Sequence, residues 1–203
     1  MFTGIVEDIG RVAAIEERPG GRRFWVEAAR ATEDAAVGDS IAVNGCCLTI
    51  VALAPGRFAV EAVPETLART TIGGWREGER VNLERSMRLD QRLGGHLVAG
   101  HVDGVGEVLA VVAEGDGRRV TFRAPAALAR FIAEKGSIAV DGTSLTVARV
   151  EGDRFEVAYI PHTLAVTTAG AYTPGRRVHL EVDLVARYVA RLLEAHAGAG
   201  GVA

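Results

Sequence analysis

Cysteine is nearly absent from this chain: there are two among 203 residues, and they are adjacent, Cys46 and Cys47. A disulfide framework is excluded, and a cytoplasmic location is the simplest reading. Lysine is scarcer still. Lys135 stands alone among basic residues that are otherwise arginine, a bias that coding composition accounts for. The net charge of -3 and pI near 6.0 leave no basic footprint for nucleic acid. No apolar run approaches a membrane span. Met1-Phe2-Thr3-Gly4 lacks the charged and apolar regions of a secretory signal. The sequence has no phosphate-binding loop, no G-x-S-x-G, no dinucleotide fingerprint in a βαβ context and no metal-ligand cluster.

What the chain has is itself, twice. Ser40-Ile41-Ala42-Val43-Asn44-Gly45-Cys46-Cys47-Leu48-Thr49-Ile50 returns 97 residues later as Ser137-Ile138-Ala139-Val140-Asp141-Gly142-Thr143-Ser144-Leu145-Thr146-Val147. Pro64-Glu65-Thr66-Leu67-Ala68 recurs as Pro161-His162-Thr163-Leu164-Ala165, and Arg80-Val81-Asn82-Leu83-Glu84 as Arg177-Val178-His179-Leu180-Glu181. The period is too long for a stacking solenoid unit. It marks a duplicated domain, each copy near the small end of the domain range. With 48% apolar residues there is enough material for two cores. The junction is expected within 86–97, which is polar and contains Gly94-Gly95.

Each copy reads as all-β. Asn44-Gly45 and Asp141-Gly142 suit two-residue hairpin turns, which need positive φ. Further strands are expected at Phe24 to Ala28, Phe58 to Val63, Val81 to Glu84, Val105 to Val112, Val120 to Arg123, Phe155 to Ile160 and Val178 to Val182. Turn signals such as Pro19-Gly20-Gly21, Pro55-Gly56, Gly115-Asp116-Gly117 and Pro174-Gly175 separate them, a spacing that suits small antiparallel barrels or sandwiches. Short helices are expected at Ala126 to Glu134 and after Pro64 and Pro161, since proline suits a first helical position. Beyond Asp183, a good capping residue, Leu184, Val185, Tyr188, Val189, Leu192 and Leu193 share one helical face. This segment has no counterpart in copy one. Its apolar stripe packs either on its own chain or on a neighbour. Residues 197–203 are expected to fray.

The copies differ at chemically telling positions. Side chains alternate along a strand, so Cys46, Leu48 and Ile50 share a core-like face while Cys47 and Thr49 share the other. Ser144 and Thr146 occupy that second face in copy two. Cys47 thus stands where copy two has Ser144: a thiol that can ionise and attack, against a hydroxyl that needs more help. Likewise Gly4-Ile5-Val6 aligns with Gly100-His101-Val102, an aliphatic residue against an imidazole that exchanges protons near neutral pH.

Taken in order on this repeat, these motifs resemble the riboflavin synthase family. They are Met1-Phe2-Thr3-Gly4-Ile5-Val6, Asn44 to Thr49, Gly94-Gly95-His96-Leu97 with Gly100-His101-Val102, Asp141 to Val147, Ile160 to Leu164, and Glu181-Val182-Asp183. The resemblance covers nearly the whole chain and implies two similar six-stranded antiparallel Greek-key barrels, at 1–96 and 97–183. A C-terminal helix and flexible tail at 184–203 would hold a homotrimer together. It implies a transferase that disproportionates two molecules of 6,7-dimethyl-8-ribityllumazine. A four-carbon unit passes between them, giving riboflavin and 5-amino-6-(ribitylamino)pyrimidine-2,4-dione, with no metal or redox cofactor. Sites would lie between subunits, and association with the lumazine-making enzyme of the same pathway, lumazine synthase, is a possible further partnership.

Carried over by motif, Gly4, Ile5, Val6, Cys47, Leu48 and Thr49 would line the ligand in copy one, walled by Glu61, Ala62, Val63, Pro64, Glu65 and Thr66. In copy two the lining would be Gly100, His101, Val102, Ser144, Leu145 and Thr146, walled by Ala158, Tyr159, Ile160, Pro161, His162 and Thr163. Lys135 would approach a ligand held mainly by another chain. His162 departs from the glutamate that some members carry there. The catalytic candidates are Cys47, His101, Ser144, Thr146 and Asp183. His101 would assist deprotonation of the substrate's C7 methyl; Cys47, Ser144 or a bound water would add at C7 of the other molecule; Asp183 would orient one of these groups or cap the helix. A related non-catalytic family holds a lumazine or flavin as a chromophore in the same barrels, and this reactive set is what separates the two.

Overall fold

A computed structural model describes residues 1–199. The first barrel runs through β1 (Asp8–Arg18), β2 (Gly21–Glu27), β3 (Ser40–Val43), β4 (Cys46–Ala54), β5 (Arg57–Ala62) and β6 (Arg80–Arg85). The second runs through β7 (Gly104–Glu114), β8 (Gly117–Arg123), β9 (Ser137–Val140), β10 (Thr143–Glu151), β11 (Arg154–Tyr159) and β12 (Arg177–Val182). Both sheets close, in the same antiparallel order: β1-β2-β5-β4-β3-β6 and β7-β8-β11-β10-β9-β12. Closure removes the open edges that a lone sheet exposes.

Alternation fills each interior. Phe24 and Val26, Ile41 and Val43, Leu48 and Ile50, Phe58 and Val60, and Val81 and Leu83 point into the first barrel, which Trp75 closes edge-on to Phe24. Phe122, Val140, Val147, Phe155, Val157, Tyr159 and Leu180 do the same in the second. Bulges recur at matching places, between Val12 and Ala14 and between Ile50 and Ala52, then between Val108 and Ala110 and between Val147 and Arg149. Each adds the local bend that a tight barrel needs.

Short helices α1 (Pro64–Arg69), α2 (Ala126–Ala129) and α3 (Pro161–Val166) decorate the barrels, and α4 (Leu184–Ala199) follows the second. Proline does open α1 and α3. The helix expected over Ala126 to Glu134 shrinks to one turn, because the chain continues in i→i−3 turns, Phe131 N–H to Leu128 O and Ile132 N–H to Ala129 O. Those turns face Leu128 and Ile132 inward. β1 was not among the expected strands: its bulge resets the alternation, and Glu16-Glu17-Arg18 follow. Of the tail expected to fray, 197–199 continues the helix and 200–203 lies outside the described residues. Among the described residues no helix is long and apolar enough to cross a membrane.

A two-stranded bridge joins the barrels. Phe2 N–H donates to Val98 O at 2.7 Å and Val98 N–H returns to Phe2 O at 3.1 Å. Phe2 and Val98 form a small core with Ala42 and Ala139, one residue from β3 and one from β9.

Candidate functional site

The two hairpin turns meet back to back. Asn44 and Asp141 have φ of 47° and 44°, followed by Gly45 and Gly142 at 76° each. A Cβ on Gly45 would stand 2.6 Å from Gly142 N, and one on Gly142 2.6 Å from Gly45 N. Only glycine permits that approach and that φ together. Two equivalent residues lock the turns across the junction. Asn82 Nδ2 donates to Asp141 O at 2.8 Å while its Oδ1 accepts from Thr168 N–H at 2.8 Å. His179 Nδ1 pairs with Asn44 O at 2.8 Å while its Nε2 accepts from Thr71 N–H at 2.8 Å. Asp141 is buried beside them, accepting from His179 N–H and from Tyr172 OH at 2.7 Å. Burial pushes its carboxyl up.

β4 and β10 both start at this junction, and each meets a short segment from outside its own barrel's strands. Cys47 N–H donates to Gly100 O at 2.8 Å, and Ser144 N–H to Gly4 O at 2.7 Å. The grouping expected from the repeat is therefore exchanged: Gly4 lies on Ser144 and Gly100 on Cys47. Val102 packs on the first barrel's core. The reason is the Phe2–Val98 bridge, which carries each entering segment across to the opposite barrel. Both segments are held by a buried glutamate. Glu84 accepts from Thr3 N–H (2.6 Å), Thr3 Oγ1 (2.7 Å) and Gly4 N–H (2.9 Å). Glu181 accepts from Ala99 N–H (2.7 Å) and Gly100 N–H (2.9 Å). Burial raises both carboxyls, and these donors oppose the rise.

The candidate side chains sit on this frame. Cys46 turns into the core, where desolvation pushes its thiol up to about 12; Cys47, on the other strand face, is half-buried. Thr49 and Thr146 are exposed, Leu145 is half-buried and Leu48 is buried. Ser144 Oγ lies 2.7 Å from Nδ1 of His96, a contact the sequence reading did not foresee. His96 is buried, which lowers its pKa, against the opposing pull of Asp183; its Nε2 has no hydrogen-bond partner among the described residues. Asp183 Oδ1 accepts from Val185 N–H at 2.9 Å, so it caps α4 and also acts electrostatically on His96. The His101 ring is exposed, and its carbonyl accepts from Arg187 Nη2 at 3.1 Å.

The two walls are less uniform than the motif suggests. Glu61, Val63, Pro64 and Glu65 are exposed and Thr66 is half-buried, but Ala62 is buried. Glu61 is paired with Arg23, and Glu65 with Arg69 along α1. In copy two, Ala158, Ile160, Pro161 and His162 are exposed and Thr163 half-buried, while the Tyr159 ring lies in the core against Phe122 and Tyr172. Leu48, Ala62 and Tyr159 can thus present only backbone to a ligand. Ile5 and Lys135 are exposed and Val6 is half-buried; Lys135 N–H bonds Val147 O. Sequence reasoning missed His96, Glu84, Glu181 and Arg187. A glutamate kept at one offset in both copies, and a histidine directly after Gly94-Gly95, were the available signals.

The Lumazine binding domain family matches twice, at residues 3–86 and 99–183. Riboflavin synthase of Brucella abortus (strain 2308) is 48% identical over 200 residues, covering 96% of this chain and 98% of that protein. Riboflavin synthase of Mycobacterium tuberculosis (strain ATCC 25618 / H37Rv) is 49% identical over 197 residues, covering 95% and 98%. The crystal structure of LumP complexed with riboflavin superposes with a TM-score of 0.82 at 27% identity, covering 90% of this chain and 99% of that one.

Proposed function

The chain belongs to the riboflavin synthase family, and we infer from that premise how its two barrels share the reaction. The enzyme takes two molecules of 6,7-dimethyl-8-ribityllumazine, moves a four-carbon unit from one to the other, and releases riboflavin and 5-amino-6-(ribitylamino)pyrimidine-2,4-dione. Two identical substrates call for two similar grooves, and opposite roles call for grooves that differ. The observation that carries the reading is that one backbone frame is used twice with different reactive groups: Cys47 beside the Gly100-His101 segment, and Ser144 beside Gly4 with His96 at hydrogen-bond distance.

The first groove comprises Cys47, Leu48 and Thr49, the 61–66 wall and the 100–102 segment. The second comprises Ser144, Leu145 and Thr146, the 158–163 wall and the 4–6 segment. His101 takes a proton from the C7 methyl of one lumazine, whose ring delocalises the resulting carbanion. A nucleophile adds at C7 of the other; Cys47, Ser144 or a water activated by the His96–Ser144 pair are the groups in place. Thr49 and Thr146 meet the ribityl hydroxyls, so Thr146→Val should weaken lumazine binding, and unchanged affinity would count against that pairing. Holding two rings in register itself supplies much of the acceleration, on the order of 7–11 kcal/mol for ideally oriented partners.

The grooves face each other between subunits of a cytoplasmic homotrimer assembled through α4, whose Val185, Tyr188, Val189 and Leu193 are exposed. Lys135 approaches a ligand from the neighbouring subunit. Association with lumazine synthase would deliver substrate at its source; co-sedimentation of the two enzymes tests it. The competing reading, a chromophore carrier, draws on the ligand-bound LumP structure. Turnover separates them. Purified protein given 6,7-dimethyl-8-ribityllumazine and no cofactor should yield riboflavin and the pyrimidine in equal amounts, one of each per two substrates. Tight binding without product would overturn the enzyme.

A further inference from the structure

The segment carrying His101 is held from both sides, and the second hold comes from an element that copy one lacks. Glu181 accepts from the backbone of Ala99 and Gly100. Beyond them, a single nitrogen of Arg187 on α4 donates to His101 O at 3.1 Å and to Asp103 Oδ2 at 2.8 Å. Asp103 Oδ2 also accepts from Val182 N–H at 2.8 Å, and Asp103 N–H donates to Leu180 O at 2.9 Å. His101 is thus bracketed by fixed backbone at residues 100 and 103.

The equivalent segment of copy one is built differently. Glu7 takes the place of Asp103, and its arginine is Arg85 on β6, which bonds Glu7 at 2.8 Å and Asp34 at 2.5 Å. Among the described residues, no side chain is hydrogen-bonded to the Ile5 carbonyl, the counterpart of His101 O. The extra hold falls on the copy that carries an imidazole, not on the copy that carries an aliphatic residue. The Arg187–Asp103 pair is shielded, with side chains 32% and 15% exposed, so it is screened less by salt than a surface pair.

We propose that Arg187 is a positioning residue for His101: α4 reaches back through the His101 carbonyl and Asp103 to fix the direction in which the imidazole enters the first groove. The proposal rests on the reading of His101 as the base. It makes the C-terminal helix part of the catalytic apparatus as well as an assembly element. Small misplacements of a reacting group are expensive, with about 1 Å costing on the order of a hundredfold in rate.

The test compares Arg187→Ala, Arg187→Lys, His101→Gln and the Arg187→Ala/His101→Gln double variant. Turnover of 6,7-dimethyl-8-ribityllumazine, riboflavin binding by fluorescence and oligomeric state by sedimentation are read for each. Arg187→Ala should lower kcat by about 10- to 100-fold with KM and assembly nearly unchanged. Arg187→Lys should recover part of the loss, and the double variant should be no slower than His101→Gln alone. The proposal is overturned if Arg187→Ala turns over normally while His101→Gln is slow, or if the two losses multiply. A His101→Gln variant at full speed would instead sink the reading of His101 as base. Should Arg187→Ala fail to assemble, Arg187→Lys carries the same comparison: a lowered kcat that vanishes on the His101→Gln background supports the proposal, and an unchanged kcat overturns it.

Discussion

Two adjacent cysteines have opposite fates because a strand alternates. Cys46 faces a core that holds its thiol protonated up to about 12, whereas Cys47 is half-buried beside Gly100. Iodoacetamide at pH 8 should therefore alkylate Cys47 and spare Cys46, with riboflavin slowing the reaction, as peptide mass spectrometry would show. Equal labelling of both would break the assignment of faces. If register does most of the work, Cys47→Ser should slow turnover without abolishing it, and a complete loss with binding intact would make the thiol obligatory. His179 carries a second residue-scale prediction. Thr71 N–H can only donate, so Nε2 must accept and the ring proton sits on Nδ1. Burial lowers the pKa of His179, opposed by Asp141 and the Asn44 contact and aided by Arg176 and Arg177. Below about pH 6.5 the unfolded chain binds a proton that the native ring resists, so this residue's contribution falls as pH drops. The raised carboxyls of Glu84, Glu181 and Asp141 act in the opposite direction as they protonate. The diagnostic quantity is consequently the difference between wild type and His179→Asn, which copies Asn82. Urea midpoints at pH 7.5 and 5.5 should show a smaller acid loss in the variant.

The hairpins show at the scale of elements why some of this fold was legible and some was not. Asn44-Gly45 and Asp141-Gly142 announced their turns because positive φ leaves few residue choices, and the alternation around them assigned Cys46 and Cys47 to opposite faces. β1 stayed hidden because its bulge breaks the alternation that signals a strand. The exchange of entering segments was illegible for a different reason. Internal alignment pairs Gly4 with Gly100 and likewise Phe2 with Val98, but a repeat records likeness and not contact, and nothing in that likeness says that the two counterparts bridge each other and cross the segments. His96 fell into the same gap: nothing in its neighbours names Ser144. The turn junction yields a controlled comparison. Gly45→Ala strains a φ of 76° and drives a Cβ to 2.6 Å from Gly142 N, whereas Gly56→Ala strains a φ of 70° in open space. Both should destabilise by about 1–3 kcal/mol from backbone strain, and Gly45→Ala should lose clearly more in chemical denaturation. Equal losses would mean that the junction relaxes freely.

For the whole molecule, duplication supplies two equivalent frames but leaves them in one chain, where each entering segment already crosses to the other barrel. α4 is the one large element outside the repeat, and its exposed Val185, Tyr188, Val189 and Leu193 form a stripe that water does not favour. If that stripe assembles the trimer that brings facing grooves together, breaking it should separate binding from reaction. Val189→Asp with Leu193→Asp places two charges in the proposed interface, where unpaired burial is strongly unfavourable. Sedimentation should show monomers. Those monomers should keep their barrels, since neither residue belongs to a core cluster, and should still quench riboflavin fluorescence with weakened affinity. Turnover should fall by two orders of magnitude or more, on the order of the advantage lost when paired reactants are no longer held together. A monomeric variant that still dismutates lumazine at the wild-type rate would place both substrates within one chain and confine α4's contribution to Arg187.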